Sequence, residues 1–318
     1  DGQFGTRLGG GKDHASARYI FTRLKTLTNI IYNKHDEALY KYTEDDGIKI
    51  EPVCYAPIIP MLLVNGALGI GTGWSCNIPQ FNPDDIVYNL KQLLEGKNKL
   101  KELNPWYRGY KGQITRVNKH NWISRGCYKP IDERTVLITE LPIGMWTTNY
   151  QSHLISMIEK PQITGVANKS RNPKTIVEKP KLLKNYYIEP NDTTIDITLT
   201  LEPNVLNNLM MKKDKDGISQ FEKEFKLTSK INAGVKSLNC FTAPNDELPS
   251  ILGHYDDIDN IFNTFFKYRL ELYGKRKEYL LNELERIHKL TNFKMKLIMG
   301  FNPDDIQLKN IPQYDIYN

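Results

Sequence analysis

An arginine and a tyrosine stand side by side at Arg18-Tyr19, just beyond a glycine-rich run that carries two further cations, Arg7 and Lys12. Arg18 can neutralise a phosphate, and Gly2, Gly5, Gly9, Gly10 and Gly11 let a backbone approach a duplex closely. Most of the 18 tyrosines must pack in cores or on surfaces, so Tyr19 is singled out by its neighbours and not by its type. Nucleotide phosphates do not suit either glycine run. Gly5 to Asp13 misses the G-x-x-x-x-G-K-[ST] spacing, with Asp13 where a hydroxyl would meet magnesium, and Gly69-Ile70-Gly71-Thr72-Gly73-Trp74 lacks the third glycine of a dinucleotide fingerprint. No metal site is expected: the 6 histidines are scattered without an H-x-x-x-H pair, and Asp45-Asp46, Asp84-Asp85 and Asp256-Asp257 fall in turns and helix starts.

The elements that must position these residues follow from local signals. His14 to Leu27 reads as a helix carrying Arg18 and Tyr19 near its start. Extended runs at Ala38 to Tyr42 and Ile48 to Ile50 flank Asp45-Asp46-Gly47, a hairpin signal. A helix followed by such a hairpin is the outline of a winged helix. Phe81-Asn82-Pro83-Asp84-Asp85 predicts a capped helix start, ending near Gly96. Parts of 111–141 and the alternating stretch at 193–201 predict strands. Residues 161–190, rich in Lys, Asn and Pro, read as a surface insertion. From Asp256 to Met299 apolar residues recur at helical spacing without a proline, a span of about 66 Å at 1.5 Å per residue. A coiled coil is expected there, weakened in its middle by Gly274. A second helix-start signature lies at Phe301-Asn302-Pro303-Asp304-Asp305.

Composition narrows the classes. The chain has 318 residues, 40% apolar and 25% charged, which excludes wholesale disorder and predicts two or three domains. Its net charge of +6 suits a polyanionic partner but many other proteins as well. The 4 cysteines form no C-x-x-C pair, so reduced thiols are expected. Mean hydropathy is −0.51 and no apolar run reaches the roughly 18 residues of a membrane span, so no membrane partner is expected. The abrupt start at Asp1-Gly2-Gln3-Phe4-Gly5 reads as the middle of a longer protein.

Several ordered motifs give a resemblance. Gln3-Phe4-Gly5-Thr6-Arg7-Leu8, Gly10-Gly11-Lys12-Asp13, Arg18-Tyr19-Ile20-Phe21-Thr22, Pro57-Ile58-Ile59-Pro60-Met61 and Asn65-Gly66-Ala67 with Gly69 to Ser75 resemble DNA topoisomerase II. The wording is that of eukaryotes and large DNA viruses and not of bacterial gyrase. The likeness continues through Glu140-Leu141-Pro142, Phe225-Lys226-Leu227 and Tyr268 to Glu278, and lapses at about 161–190 and after Gly300.

The resemblance implies an α/β multidomain piece of the breakage-reunion core. Residues 1–56 would end a winged-helix domain with the nucleophilic tyrosine, 57–254 form a tower, and 255–318 begin a coiled coil toward an exit gate. Tyr19 would attack a DNA phosphodiester and become joined to a 5′ phosphate, with Arg18 stabilising the transition state. Ile70 would wedge between base pairs to bend the duplex, the ordinary alternative being a buried isoleucine in a glycine turn. Arg7, Lys12, Lys226, Thr228 and Lys230 would meet the DNA backbone, the last three otherwise being a solvated basic strand end. Double-stranded DNA and a second copy, giving a homodimer, would be the partners. Mg2+ and ATP would be bound by segments not found in this sequence. The location would be the nucleus of a eukaryotic cell, or host cytoplasm or nucleus for a virus. The rival readings are a non-catalytic architectural DNA-bending protein, in which Tyr19 only packs, and a coiled-coil assembly module.

Overall fold

The computed structural model describes residues 3–97, 100–159, 162–164, 177–179, 181–189, 191–241 and 252–299. They form a mixed α/β structure that divides into two compact units, each drawn from two stretches of chain: 1–28 with 59–263, and 29–58 with 264–318. Among the described residues no helix is long and apolar enough to cross a membrane.

In the first unit an antiparallel four-stranded sheet runs in the order Leu183–Ile188, Ile197–Leu201, Thr135–Glu140, Cys127–Pro130. The expected alternation is realised, with Ile195, Ile197, Leu199 and Leu201 buried and Thr198 and Thr200 half-buried. The helix Thr147–Glu159 lays Tyr150, Leu154 and Met157 against this sheet at helical spacing. Phe221 and Phe225, with ring centroids 4.7 Å apart, fill the same core. Their helix, Gln220–Glu224, starts on a capping box in which the Glu222 amide donates to Ser219 Oγ and the Ser219 amide to Glu222 Oε2.

A three-stranded sheet, Thr228–Asn232, Asn121–Arg125 and Gln113–Asn118 in that order, supports a second core. There Trp122 and Ile231 meet Leu63, Phe81 and Ile86, together with Ile258, Ile261 and Phe262 from the start of a long helix. The helix Pro83–Leu94 begins as its sequence predicts: the Asp84 amide donates to Asn82 Oδ1 at 3.0 Å, and Pro83 fills the first turn.

The second unit contains the expected hairpin, Tyr42–Asp45 with Ile48–Pro52. Asp46 and Gly47 lie at φ 48° and 78°, the positive values that a two-residue turn matched to strand twist requires. Beside it, in the 3-10 turn Lys34–Leu39, Asp36 is fully buried. Two arginines of the long helix neutralise it, Arg269 at 2.8 Å and Arg276 at 3.4 Å. The Tyr273 ring lies under both guanidinium groups, 4.1 and 4.8 Å from its centroid. Arg269 also donates to the Ala56 carbonyl at 3.2 Å.

Four expectations are corrected. The predicted helix over His14 to Leu27 is absent: a single 3-10 turn, Ala17–Tyr19, is followed by extended chain and a short helix at Thr26–Ile31. No residue from 14 to 30 is buried, so a helix there would have no packing to offset its nucleation cost, and Ile20-Phe21-Thr22 favours extended backbone. The first predicted strand lies further along the chain, at Tyr42–Asp45, because Lys34–Leu39 is a 3-10 turn built around buried Asp36. The presumed insertion at 161–190 includes Leu183–Ile188, an edge strand of the four-stranded sheet. A bulge between Leu183 and Asn185 shifts its register, so Leu183, Tyr186 and Ile188 share the inner side without the unbroken period of two that marks a regular strand. Finally, the long helix Ile258–Met299 runs unbroken for 42 residues through Gly274. Glycine costs about 1 kcal/mol against alanine in a helix interior, and the helix continues through it with Arg269 and Arg276 on either side paired to Asp36. Most of 161–182, and everything from Gly300 onward including the second helix-start signature, lies outside the described residues.

The buried charges of the second unit give a direct test. Replacing Asp36 by Asn leaves Arg269 buried without a counter-charge and should lower stability by about 3–5 kcal/mol in urea denaturation. A loss below about 1 kcal/mol would show that solvent reaches this cluster.

Candidate nucleic-acid interface

The glycine-rich run is a docked loop. The Gly11 amide closes it on the Thr6 carbonyl at 2.9 Å, and the Ala15 amide donates to the Gln3 carbonyl at 2.9 Å. Asp13 accepts from the Thr6 amide at 2.9 Å and from the Thr6 hydroxyl, and these bonds, the amide first, hold its carboxyl below the usual range. This contribution to loop order is present at neutral pH and is lost as pH falls through that depressed value.

The loop rests on the first unit at three points. Arg7 forks onto Glu140, a carboxylate 1% exposed that also accepts from the Lys111 amide at 3.2 Å and its neighbour Leu141 amide at 2.9 Å. The Thr148 amide and hydroxyl both donate to the Leu8 carbonyl, at 3.1 and 3.0 Å. Gly10 lies so close to Trp146 that a Cβ built on it would come within 2.4 Å of the indole ring. The close approach that the glycines predict is therefore made, at Gly10, to the protein's own surface.

Three residues after Asp13 the chain forms the Ala17–Tyr19 turn, closed by the Tyr19 amide on the Ser16 carbonyl at 2.9 Å. Arg18 and Tyr19 are both exposed, Tyr19 at 64%, and the Arg18 guanidinium carbon lies 5.9 Å from the centre of the Tyr19 ring. A cation so placed is attracted to the ring face and keeps the guanidinium beside the phenol. Lys12 is exposed on the loop.

Ile70 ends the first strand of a hairpin, Ala67–Ile70 with Ser75–Ile78, whose tip closes by the Gly71 amide on the Trp74 carbonyl at 2.8 Å. Its side chain is 90% exposed, which removes the buried-isoleucine alternative. Gly69 has open space where a Cβ would stand, so none of the described residues demands a glycine at that position. The hairpin has two unlike faces: Ala67, Cys76 and Ile78 pack toward the core, while Leu68 and Ile70 point away from it. Leu68, 82% exposed, was missed in the sequence reading, although its position two residues before Ile70 on a strand places both on one face.

Lys226 follows the helix Gln220–Glu224 with φ 48°, and Thr228 and Lys230 share one face of the adjoining strand Thr228–Asn232. Both lysines are exposed and Thr228 is half-buried. Among the described residues no hydrogen bond, ion pair or ring contact joins Arg18-Tyr19, Ile70 and this basic edge to one another. No cluster of three or more His, Cys, Asp or Glu able to hold a metal occurs among them either.

This architecture is similar to that of the Plasmodium falciparum topoisomerase II DNA-binding, cleavage and re-ligation domain, with a TM-score of 0.78 and 32% identity over 99% of this chain and 39% of that one. The family model of the A-type subunit of DNA gyrase/topoisomerase IV matches residues 1–307, and the chain belongs to that family. DNA topoisomerase 2 of Pisum sativum is 37% identical over 98% of the chain, and that of Bombyx mori 40% identical over 92%. DNA topoisomerase 2-alpha of Rattus norvegicus is 34% identical over 99% of the chain. The chain spans only 19%, 17% and 19% of the lengths of these three relatives.

The docking of the loop predicts unequal effects at two neighbouring glycines. Gly10 and Gly11 both have positive φ, but only a Cβ at Gly10 meets the indole, whereas Gly11 faces open space. Gly10→Ala should therefore cost ~1–3 kcal/mol more than Gly11→Ala in thermal or urea unfolding. Equal losses would mean that the loop is not seated on Trp146.

Proposed function

We propose that the full protein is a type II DNA topoisomerase and that this chain is the part that grips, bends and covalently breaks double-stranded DNA. The observation that carries the reading is the Arg18 guanidinium held beside the exposed Tyr19 phenol, at the end of a loop anchored by a part-buried ion pair. Family membership and the likeness to topoisomerase 2 proteins support it.

In this reading the Tyr19 Oη attacks a phosphodiester phosphorus. The bond from that oxygen to phosphorus forms as the bond from phosphorus to the 3′ oxygen breaks. The phenolic proton is given up to a base and the 3′ oxygen takes one, leaving a 5′ phosphate joined to Tyr19. Arg18 offsets the charge that develops on the phosphoryl oxygens. One phosphodiester has been exchanged for another, so the reverse reaction reseals the strand. In a homodimer two copies of Tyr19 would cut the two strands and let a second duplex pass.

Ile70 acts as the wedge, with Leu68 as a second apolar contact on the same face of the hairpin. Unstacking a base step costs a few kcal/mol, offset by the extra surface that a bent duplex touches. Lys12, Lys226, Thr228 and Lys230 face phosphates. Arg7, its side chain 30% exposed, holds the loop on Glu140 and presents its remaining surface to the phosphates. Residues 1–56 close a winged-helix domain, 57–254 form the tower, and 255–318 begin the coil.

The family implies ATP and Mg2+ in the full protein. The described residues do not fit either group, since no acidic cluster is present and neither glycine run has a nucleotide-binding spacing, so no step is routed through them. The place of action is wherever the DNA lies, a nucleus or, for a virus, the host nucleus or cytoplasm.

In the full-length protein, Tyr19→Phe should abolish the covalent DNA adduct by roughly 10³-fold or more while duplex binding persists. Ile70→Ala should reduce the bend measured by fluorescence transfer and leave the salt dependence of binding unchanged. A Tyr19→Phe protein that still forms the adduct would refute catalysis by Tyr19. Loss of bending without any adduct in the wild type would favour the architectural reading, which the exposure of Ile70 and Leu68 also supports.

A further inference from the structure

The core side of the wedge hairpin carries chemistry that the strand-breaking reading does not use. Cys76, in the strand Ser75–Ile78, forms an antiparallel bridge with Leu238, and the Asn239 side chain donates to the Ser75 carbonyl at 2.8 Å. Cys240 lies two residues beyond Leu238 in the strand Asn239–Phe241, so it shares the face of Leu238 and is the diagonal neighbour of Cys76. Across the next pairing Cys240 stands opposite Gly253, which has no side chain to separate or shield the thiols. Both are half-buried free thiols and each is close enough to affect the other's ionisation. The remaining two cysteines are engaged differently, Cys127 donating to the Lys111 carbonyl at 3.3 Å and Cys54 lying 4.0 Å from the Tyr268 hydroxyl.

We propose that Cys76 and Cys240 are a dithiol that closes to an intramolecular disulfide under peroxide, fastening the core side of the hairpin to the strand Asn239–Phe241. The reaction balances with hydrogen peroxide as oxidant. One thiolate attacks the peroxide, whose O–O bond breaks to give a sulfenic acid and one water. The second thiol then displaces the sulfenic oxygen as a second water, and the S–S bond forms. Two thiols have lost two electrons and two protons, and the peroxide has taken them up.

Burial, and then the neighbouring Cys76, pushes the Cys240 thiol up to about 12, and burial likewise raises Cys76. The attacking thiolate is therefore a minor species, so closure under peroxide is slow and speeds up as pH rises. Leu68 and Ile70 lie on the opposite face of the hairpin, so the link would form without covering them. The inference stands independently of the DNA reading, because its readout is a covalent bond within the chain.

The test is peptide mapping of the chain after treatment with hydrogen peroxide, alkylation without reductant and digestion. The expected result is a linked pair of peptides containing Cys76 and Cys240 in monomeric protein. Alkylation at both cysteines should be lost together and regained together after dithiothreitol. Cys76→Ser and Cys240→Ser should each abolish the link, and Cys54→Ser and Cys127→Ser should leave it intact. Continued alkylation of both cysteines in peroxide-treated wild-type protein would overturn the proposal, as would linkage to any other cysteine or linkage only between copies. The wild-type measurement decides the matter even if a serine variant fails to fold.

Discussion

Glu140, with 1% of its side chain exposed, takes its counter-charge and hydrogen bonds from its neighbour Leu141 and from two segments distant in sequence, those of Arg7 and Lys111. It ends a strand of the four-stranded sheet, accepts from the amide of Lys111 just before the three-stranded sheet, and takes its counter-charge from Arg7 in the glycine loop. One desolvated charge thus ties the loop to the four-stranded sheet and to the segment that leads into the three-stranded one. The loop in turn leads, through the Thr6 and Asp13 bonds, directly into the turn that presents Arg18 and Tyr19. The exposed pair inherits its position from a part-buried ion pair many residues away in sequence.

The two glycine-rich runs look alike in sequence and do opposite things. In the first, Gly10 is demanded by an indole ring that leaves no room for a Cβ. In the second, none of the described residues crowds Gly69, and the apolar side chain beside it stays 90% exposed. Fully burying such a side chain would contribute about 1.5–3 kcal/mol, which this fold forgoes at both Leu68 and Ile70. An apolar ridge kept outward by a hairpin whose other face is firmly packed is intelligible as a surface kept for contact. The same packed face holds Cys76 against the strand of Cys240, so the features on its two sides share one short ribbon.

In the second unit a comparable device acts on a larger element. Asp36 is enclosed by a turn, and its two arginines come from one side of the long helix with Tyr273 between them. These contacts flank Gly274, where intrinsic helix propensity is poorest, and the helix runs through it unbroken. Lys275 is also paired, with Glu271 at 3.2 Å, so the basic block after Gly274 is partly neutralised within the chain.

Elements specified by neighbouring residues were legible from the amino-acid sequence. The Asn82 cap and Pro83 start, the Asp46-Gly47 turn and the alternation at 195–201 depend on φ preferences, local hydrogen bonds and period, all of which lie within a few residues. The motifs around Tyr19 and Ile70 were equally local. What the tertiary structure decided were matters of long-range partnership. A predicted helix at 14–27 gave way to one turn because no surface buries it, and a bulge hid the strand at 183–188. Arg7 found its ion-pair partner in Glu140, 133 positions along the chain. Leu68 shares the face of Ile70 by strand period, and the hairpin showed that this face is the one turned away from the core. Backbone preference is encoded residue by residue, whereas desolvation belongs to whichever segments come together. The sequence therefore determines the reactive residue types and local turns, and only the folded chain decides which of those residues remain free to act.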